Sequence, residues 1–131
     1  MKNWLDLHMH SDWSSDGEFK PSILMQKWFD AGLKTVALAD HNTLQGIPEA
    51  MDAAEKLGLQ YFPAVELDCM FGEQKKIFHL LGYGIYPDDV NLQKNDEFVH
   101  DQEVENSKKL LRAVHGIGFE FTDRSKKQLI S

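Results

Sequence analysis

At 131 residues, with 42% hydrophobic and 11% aromatic side chains, the chain has enough apolar material for one packed core and falls in the size range of a single domain. Lys and Arg total 14 against 21 Asp and Glu, a formal charge of −7, which excludes a broad basic surface for nucleic-acid backbone; an anionic substrate then needs a local cation, and bound metal is the obvious source. The single cysteine, Cys69, excludes an intramolecular disulfide and a cysteine-based zinc cluster, so any metal must be held by His, Asp and Glu.

The N-terminal run MKNWLDLHMHSDW lacks the roughly 7–15-residue apolar stretch of a signal peptide. No run of about 18 apolar residues is present for a membrane span, so a soluble, cytoplasmic protein without a membrane partner is expected. Trp4-Leu5-Asp6-Leu7 alternates apolar and polar residues and breaks into the polar stretch His8–Gly17, which predicts a short strand feeding a long loop. Pro21 opens a segment in which Ile23, Leu24, Trp28, Ala31 and Leu33 recur near helical spacing before Gly32 ends it, so a helix is expected over Pro21–Ala31. Thr35–Ala39 is an apolar run with β-branched residues, bounded by Gly32 and by Asp40-His41-Asn42-Thr43, as in a strand buried on both faces. A second helix begins near Pro48, lines one face with Ala50, Met51, Ala54 and Leu57, and closes at Gly58.

Gln60–Val65 reads as a third strand ending at Glu66, and Ile77–Tyr83 as a fourth after the turn-like Gly72-Glu73-Gln74. From Asn91 to His115 the sequence is charged, with Phe98, Leu110, Leu111 and Val114 as anchors, and predicts one long or two shorter helices. Ser125–Ser131 reads as the opening of another. Strands alternating with helices imply an α/β fold with a parallel sheet, open or closed into a barrel, and in both cases ligand sites gather at the carboxyl ends of the strands.

The polar residues fall at those ends. His8 and His10, two apart in an extended segment, project to one side and can reach one metal, although a polar loop histidine is more often merely solvated. His41 follows the second strand after Asp40, and His79 lies among Ile77, Phe78, Leu80 and Leu81; each is either a ligand or a core histidine satisfied by a hydrogen bond. Glu66, carried close to the core, must be paired, protonated or metal-bound, and one carboxylate can bridge two cations. His100 and His115 lie in the charged helical region and read as solvated or packing residues.

The runs Asp6-Leu7-His8-Met9-His10-Ser11 to Ser15-Asp16-Gly17, Ala39-Asp40-His41-Asn42-Thr43, Ala64-Val65-Glu66 and His79-Leu80-Leu81-Gly82-Tyr83 resemble the first motifs of the PHP family, named for polymerase and histidinol phosphatase. The resemblance implies a distorted seven-stranded β/α (TIM-like) barrel with two or three divalent metals, zinc, manganese or iron, at the strand ends. It implies that His8 and His10 bind one metal with Glu66, that Glu66 bridges to a second held by His79, and that Asp16 and His41 hold a third. Asp6 and Asp40 resemble groups that orient the ligating imidazoles. The later family motifs cannot be placed on Asn91–Ser131, so the expectation is a truncated N-terminal part of the barrel, residues 1–90, followed by the start of an inserted helical segment, 91–131. The implied function is hydrolysis of a phosphate ester, a nucleotide or short oligonucleotide, by metal-activated water in the complete protein. Histidinol phosphate as substrate and a non-catalytic metal-binding or structural module are the alternatives. Alone, such a fragment is expected to self-associate and to show little activity.

Overall fold

The computed structural model describes residues 4–73, 76–123 and 125–126. The chain divides into two compact units, the first ending at Gln93 and the second starting at Lys94.

The first unit runs β1 (Leu5–Met9), α1 (Pro21–Asp30), β2 (Thr35–Leu38), α2 (Ile47–Leu57), β3 (Gln60–Tyr61), β4 (Ala64–Phe71) and β5 (Lys76–Tyr83). β1, β2 and β3 form a parallel sheet in that order, so β2 is its central strand. Val36, Ala37, Leu38 and Ala39 are all fully buried, as the apolar run requires. The period of two sends Val36 and Leu38 to one face and Ala37 and Ala39 to the other. On the first face they meet Leu24, Met25 and Trp28 of α1, Ala50 and Ala54 of α2, and Leu59; on the second, Ala64 with Leu7 and Leu81. Removing a side chain the size of Leu24 or Met25 from water stabilises the unit by about 1.5–3 kcal/mol each.

Local chemistry sets the helix limits. Pro21 occupies the first turn of α1, where its missing N–H costs nothing, and Gly58 closes α2 at φ +69°, a left-handed conformation that glycine adopts without strain.

The parallel arrangement expected throughout holds for three strands and fails for the last two. The predicted strand Gln60–Val65 is interrupted at Phe62-Pro63, because Pro63 has no N–H for a ladder, and pairing resumes as β4. β4 continues past Glu66 to Phe71 and pairs antiparallel with β5, with Glu66 opposite Leu81 and Asp68 opposite His79. Gly72, at φ +73°, begins the turn between them; Gln74, also predicted there, lies outside the described residues.

Backbone bonds join the segment after β2 to this ribbon. Glu66 N–H donates to the Asp40 carbonyl (3.1 Å) and Asn42 N–H to the Glu66 carbonyl (2.8 Å), forming a parallel bridge between His41 and Glu66.

α3 (Val90–Gly116) is one continuous helix of 27 residues, with Asp89 Oδ1 capping the N–H groups of Asn91 and Leu92. Its first turn belongs to the first unit and the remainder to the second. Ser125 and Lys126 are helical behind Thr122, whose Oγ1 accepts Ser125 N–H; residues 127–131 of the helix expected there lie outside the described residues. Among the described residues no helix is long and apolar enough to cross a membrane.

Candidate metal centre

Four histidines surround the Glu66 carboxylate, which is only 4% exposed. His8 Nε2 lies 2.6 Å and His10 Nε2 3.2 Å from Glu66 Oε2, so these two side chains do project to the same side. His41 Nε2 lies 3.6 Å from the same oxygen, and His79 Nδ1 lies 2.7 Å from Oε1. Asp16 approaches from the loop after β1, with Oδ1 3.3 Å from His10 Nδ1 and Oδ2 3.6 Å from His41 Nε2. Ring centroids of His8 and His10, His10 and His41, and His41 and His79 are 5.1, 4.7 and 4.9 Å apart.

The chain thus brings together donor atoms from β1 and its loop, the end of β2, β4 and β5. Three overlapping groups have the spacing to hold a cation: His8, His10 and Glu66; His10, Asp16 and His41; and His41, Glu66 and His79. His10 Nδ1 is buried without a hydrogen bond, although Asp16 lies close, because the carboxylate is not aligned with the ring nitrogen as an acceptor. A cation between the two would satisfy both, and imidazole with carboxylate is a donor set suited to zinc, iron or manganese. His100 and His115 lie on α3 and join none of these groups.

Electrostatics differ between the buried Glu66 and Asp40 carboxyls. Burial pushes the Glu66 carboxyl up, but His8, His41 and His79 outweigh it and hold the group below the usual carboxylate range. For Asp40 burial wins, and the carboxyl is raised despite hydrogen bonds from Ser11.

The hydrogen bonds of Asp6 and Asp40 come from the backbone of His8 and from the backbone and hydroxyl of Ser11. Asp6 Oδ1 accepts the His8 backbone N–H (3.2 Å). Asp40 Oδ1 accepts the Ser11 N–H (2.6 Å) and its Oδ2 the Ser11 hydroxyl (2.7 Å). Ser14 Oγ accepts the His41 N–H (2.7 Å), so Ser11 and Ser14, both buried, hold the loop of His10 and Asp16 against the end of β2. Sequence reading did not single out these serines, nor Asn42 and Asp68. For Asp68 a signal existed: it stands two residues after Glu66 in a strand, hence on the same face.

A family model described as the PHP domain matches residues 6–130. Over 62 residues, 47% of this chain and 22% of the relative, the chain is 40% identical to a 5'-3' exoribonuclease of Haemophilus influenzae. Over 114 residues, 87% of this chain and 39% of the relative, it is 26% identical to a 3',5'-nucleoside bisphosphate phosphatase of Chromobacterium violaceum. The structure of an amidohydrolase from Chromobacterium violaceum, with bound sulfate and no metal, superposes with a TM-score of 0.78 at 26% identity, covering 89% of this chain and 40% of that one. The chain spans less than half the length of these relatives. With the family model covering nearly every residue, and the motif histidines and Glu66 gathered at one point of the fold, this chain belongs to the PHP family.

Proposed function

We propose that His8, His10, Asp16, His41, Glu66 and His79 hold two or three divalent cations, and that the whole protein uses them to hydrolyse a phosphate ester of a nucleotide or short oligonucleotide. The observation that carries this reading is the enclosure of one buried carboxylate by four imidazoles from three separate segments. In this reading His8, His10 and Glu66 form the first position, Glu66 extends to a second with His79, and Asp16 and His41, now with His10, form the third. When bound, divalent cations polarise phosphoryl oxygens, bring the pKa of water toward neutrality and supply the positive charge that an acidic chain lacks.

The chain's own residues do the positioning. Glu66 is fixed through its backbone to Asp40 and Asn42 and through its carboxylate to the rings. Asp40, through Ser11, fixes the turn that carries His10. Asp16, whose side chain is 55% exposed, stands at the rim where a substrate phosphate would arrive. The activities of the Haemophilus and Chromobacterium relatives, an exoribonuclease and a nucleoside bisphosphate phosphatase, support the substrate class. In the whole protein we read the three-stranded sheet and its ribbon as part of the seven-stranded TIM-like barrel that the family resemblance implies.

The test is metal analysis of the whole protein followed by phosphate release, with added manganese, from nucleoside bisphosphates, 5'-phosphorylated oligoribonucleotides and histidinol phosphate. Turnover of a nucleotide phosphoester is expected. Turnover of histidinol phosphate alone would reassign the substrate, and bound metal without turnover of any phosphoester would sink the enzyme reading in favour of a structural module.

A further inference from the structure

Asp68 lies on the face of β4 that carries Glu66 and directly opposite His79 in β5. Its Oδ1 is 3.0 Å from His41 Nδ1 and 3.5 Å from His79 Nε2. The other nitrogen of each ring faces Glu66, His41 Nε2 at 3.6 Å and His79 Nδ1 at 2.7 Å. One carboxylate oxygen therefore stands behind two rings whose front nitrogens share a second carboxylate.

Asp68 is itself held in place. Asn42 Oδ1 accepts the Asp68 backbone N–H (2.9 Å), and Asn42 Nδ2 donates to Asp68 Oδ2 (2.9 Å). This clasp uses Oδ2 and leaves Oδ1 directed at the rings. Asn42 is buried at φ +57°, a left-handed conformation that asparagine tolerates better than most residues, and its own N–H donates to the Glu66 carbonyl (2.8 Å). The segment after β2 and the strand β4 are thus locked in register beside the site.

We infer that Asp68 is a positioning residue for the metal centre: clasped by Asn42, it orients the His41 ring and fixes its tautomer through a hydrogen bond to Nδ1, with His79 Nε2 3.5 Å from the same oxygen. A carboxylate only accepts, so the ring nitrogen facing it carries the proton. His41 makes its hydrogen bond through Nδ1 (3.0 Å) while its Nε2 stands 3.6 Å from Glu66, so the proton sits on Nδ1 and Nε2 presents a lone pair to the site; His79 instead makes its hydrogen bond to Glu66 through Nδ1 (2.7 Å). Carboxylates behind ligating imidazoles do this elsewhere, and losing one typically weakens metal binding about 10- to 100-fold. The inference rests on the metal-centre reading above, and it adds a residue that the motif resemblance does not assign.

Two measurements test it on the protein without any assay of turnover. Long-range 1H–15N correlation spectra of the metal-free protein, recorded above the imidazole titration, report the tautomer: His41 is expected with its proton on Nδ1, and Asp68→Ala is expected to lose that preference. Cobalt(II) titration then reads affinity and ligand field. Asp68→Ala is expected to bind cobalt about 10- to 100-fold more weakly with an altered visible spectrum. Asp68→Asn keeps the shape but offers one amide oxygen without charge, so an intermediate loss is expected even if the alanine variant does not fold. Asn42→Gly retains the backbone conformation, frees Asp68 and is expected to weaken cobalt binding by a smaller factor than Asp68→Ala. Failure of the wild-type protein to bind cobalt would overturn the metal-centre reading. Cobalt bound by wild type and by Asp68→Asn with equal affinity and the same spectrum, or a wild-type His41 tautomer the reverse of that stated, would overturn the role of Asp68 alone.

Discussion

At Gly17 the loop after β1 doubles back on itself, and a Cβ there would lie 1.8 Å from the Ser11 carbonyl oxygen and 2.3 Å from its carbon. No side chain can yield to relieve this, because the obstacle is backbone. Gly17→Ala should therefore push the loop off the end of β2, costing about 1–3 kcal/mol of stability as an overpacked site does, and it should displace the neighbouring Asp16. Thermal unfolding together with zinc stoichiometry checks both parts: an unchanged melting temperature with a full complement of metal would contradict the loop's role. Glu66 is the residue on which two of the three candidate cation groups depend. Glu66→Gln keeps its shape and removes its charge, so bound zinc is expected to fall to one ion per chain or none, the survivor held by His10, Asp16 and His41. Metal analysis by plasma mass spectrometry reads this directly, and wild-type stoichiometry in the variant would exclude Glu66 as the shared ligand.

Among the elements, α1 begins without a capping side chain of its own, since Lys20 at its N-cap makes no such bond. The orphan N–H of Ser22 is taken instead by Glu49 Oε1, 3.1 Å away in the first turn of α2. Hydrogen bonding from Ser22 holds the Glu49 carboxyl below its usual range, and a depressed folded-state pKa contributes stability that is present above the unfolded value of 4.5 and lost as pH falls through the folded one. Glu49→Ala should accordingly destabilise the chain by about 1 kcal/mol at neutral pH, and the difference should shrink at an acid pH well below 4.5. Urea denaturation of both proteins at the two pH values measures it; a difference that persists undiminished in acid would assign the loss to packing rather than to the charged cap.

For the molecule as a whole, the β4–β5 ribbon presents Met70, Phe71 and Ile77 at 71%, 74% and 71% exposure, in a two-stranded sheet that no third named strand joins among the described residues. Such apolar, open-edged ribbons associate. The 131 residues expressed alone are expected to elute in size-exclusion chromatography at an apparent mass that rises with loading concentration, and Ile77→Lys should shift them toward the monomer. A monomer at every concentration would show that the ribbon face tolerates water.

Much of this organisation was legible in the amino-acid sequence because it is set by local periodicity and covalent chemistry. The buried run Thr35–Ala39 marked β2, Pro21 and Gly32 bracketed α1, Gly58 ended α2, and the spacing of His8 and His10 put both rings on one side of the strand. The convergence of His41, Glu66 and His79 on those rings was anticipated from their positions at strand ends and from the family motifs. What the tertiary structure decided was pairing between segments far apart in the chain. An apolar run such as Ile77–Tyr83 suits a parallel or an antiparallel neighbour equally, and only the register with β4 set His79 opposite Asp68. In the same way Asp6 and Asp40 look in sequence like partners of imidazoles, whereas the folded chain gives their oxygens to the nearer N–H and hydroxyl groups of His8 and Ser11. Spacing along a strand fixes which face a side chain takes; which group it meets there depends on the register of the strand beside it and on the competition among nearby donors, and both are properties of the fold.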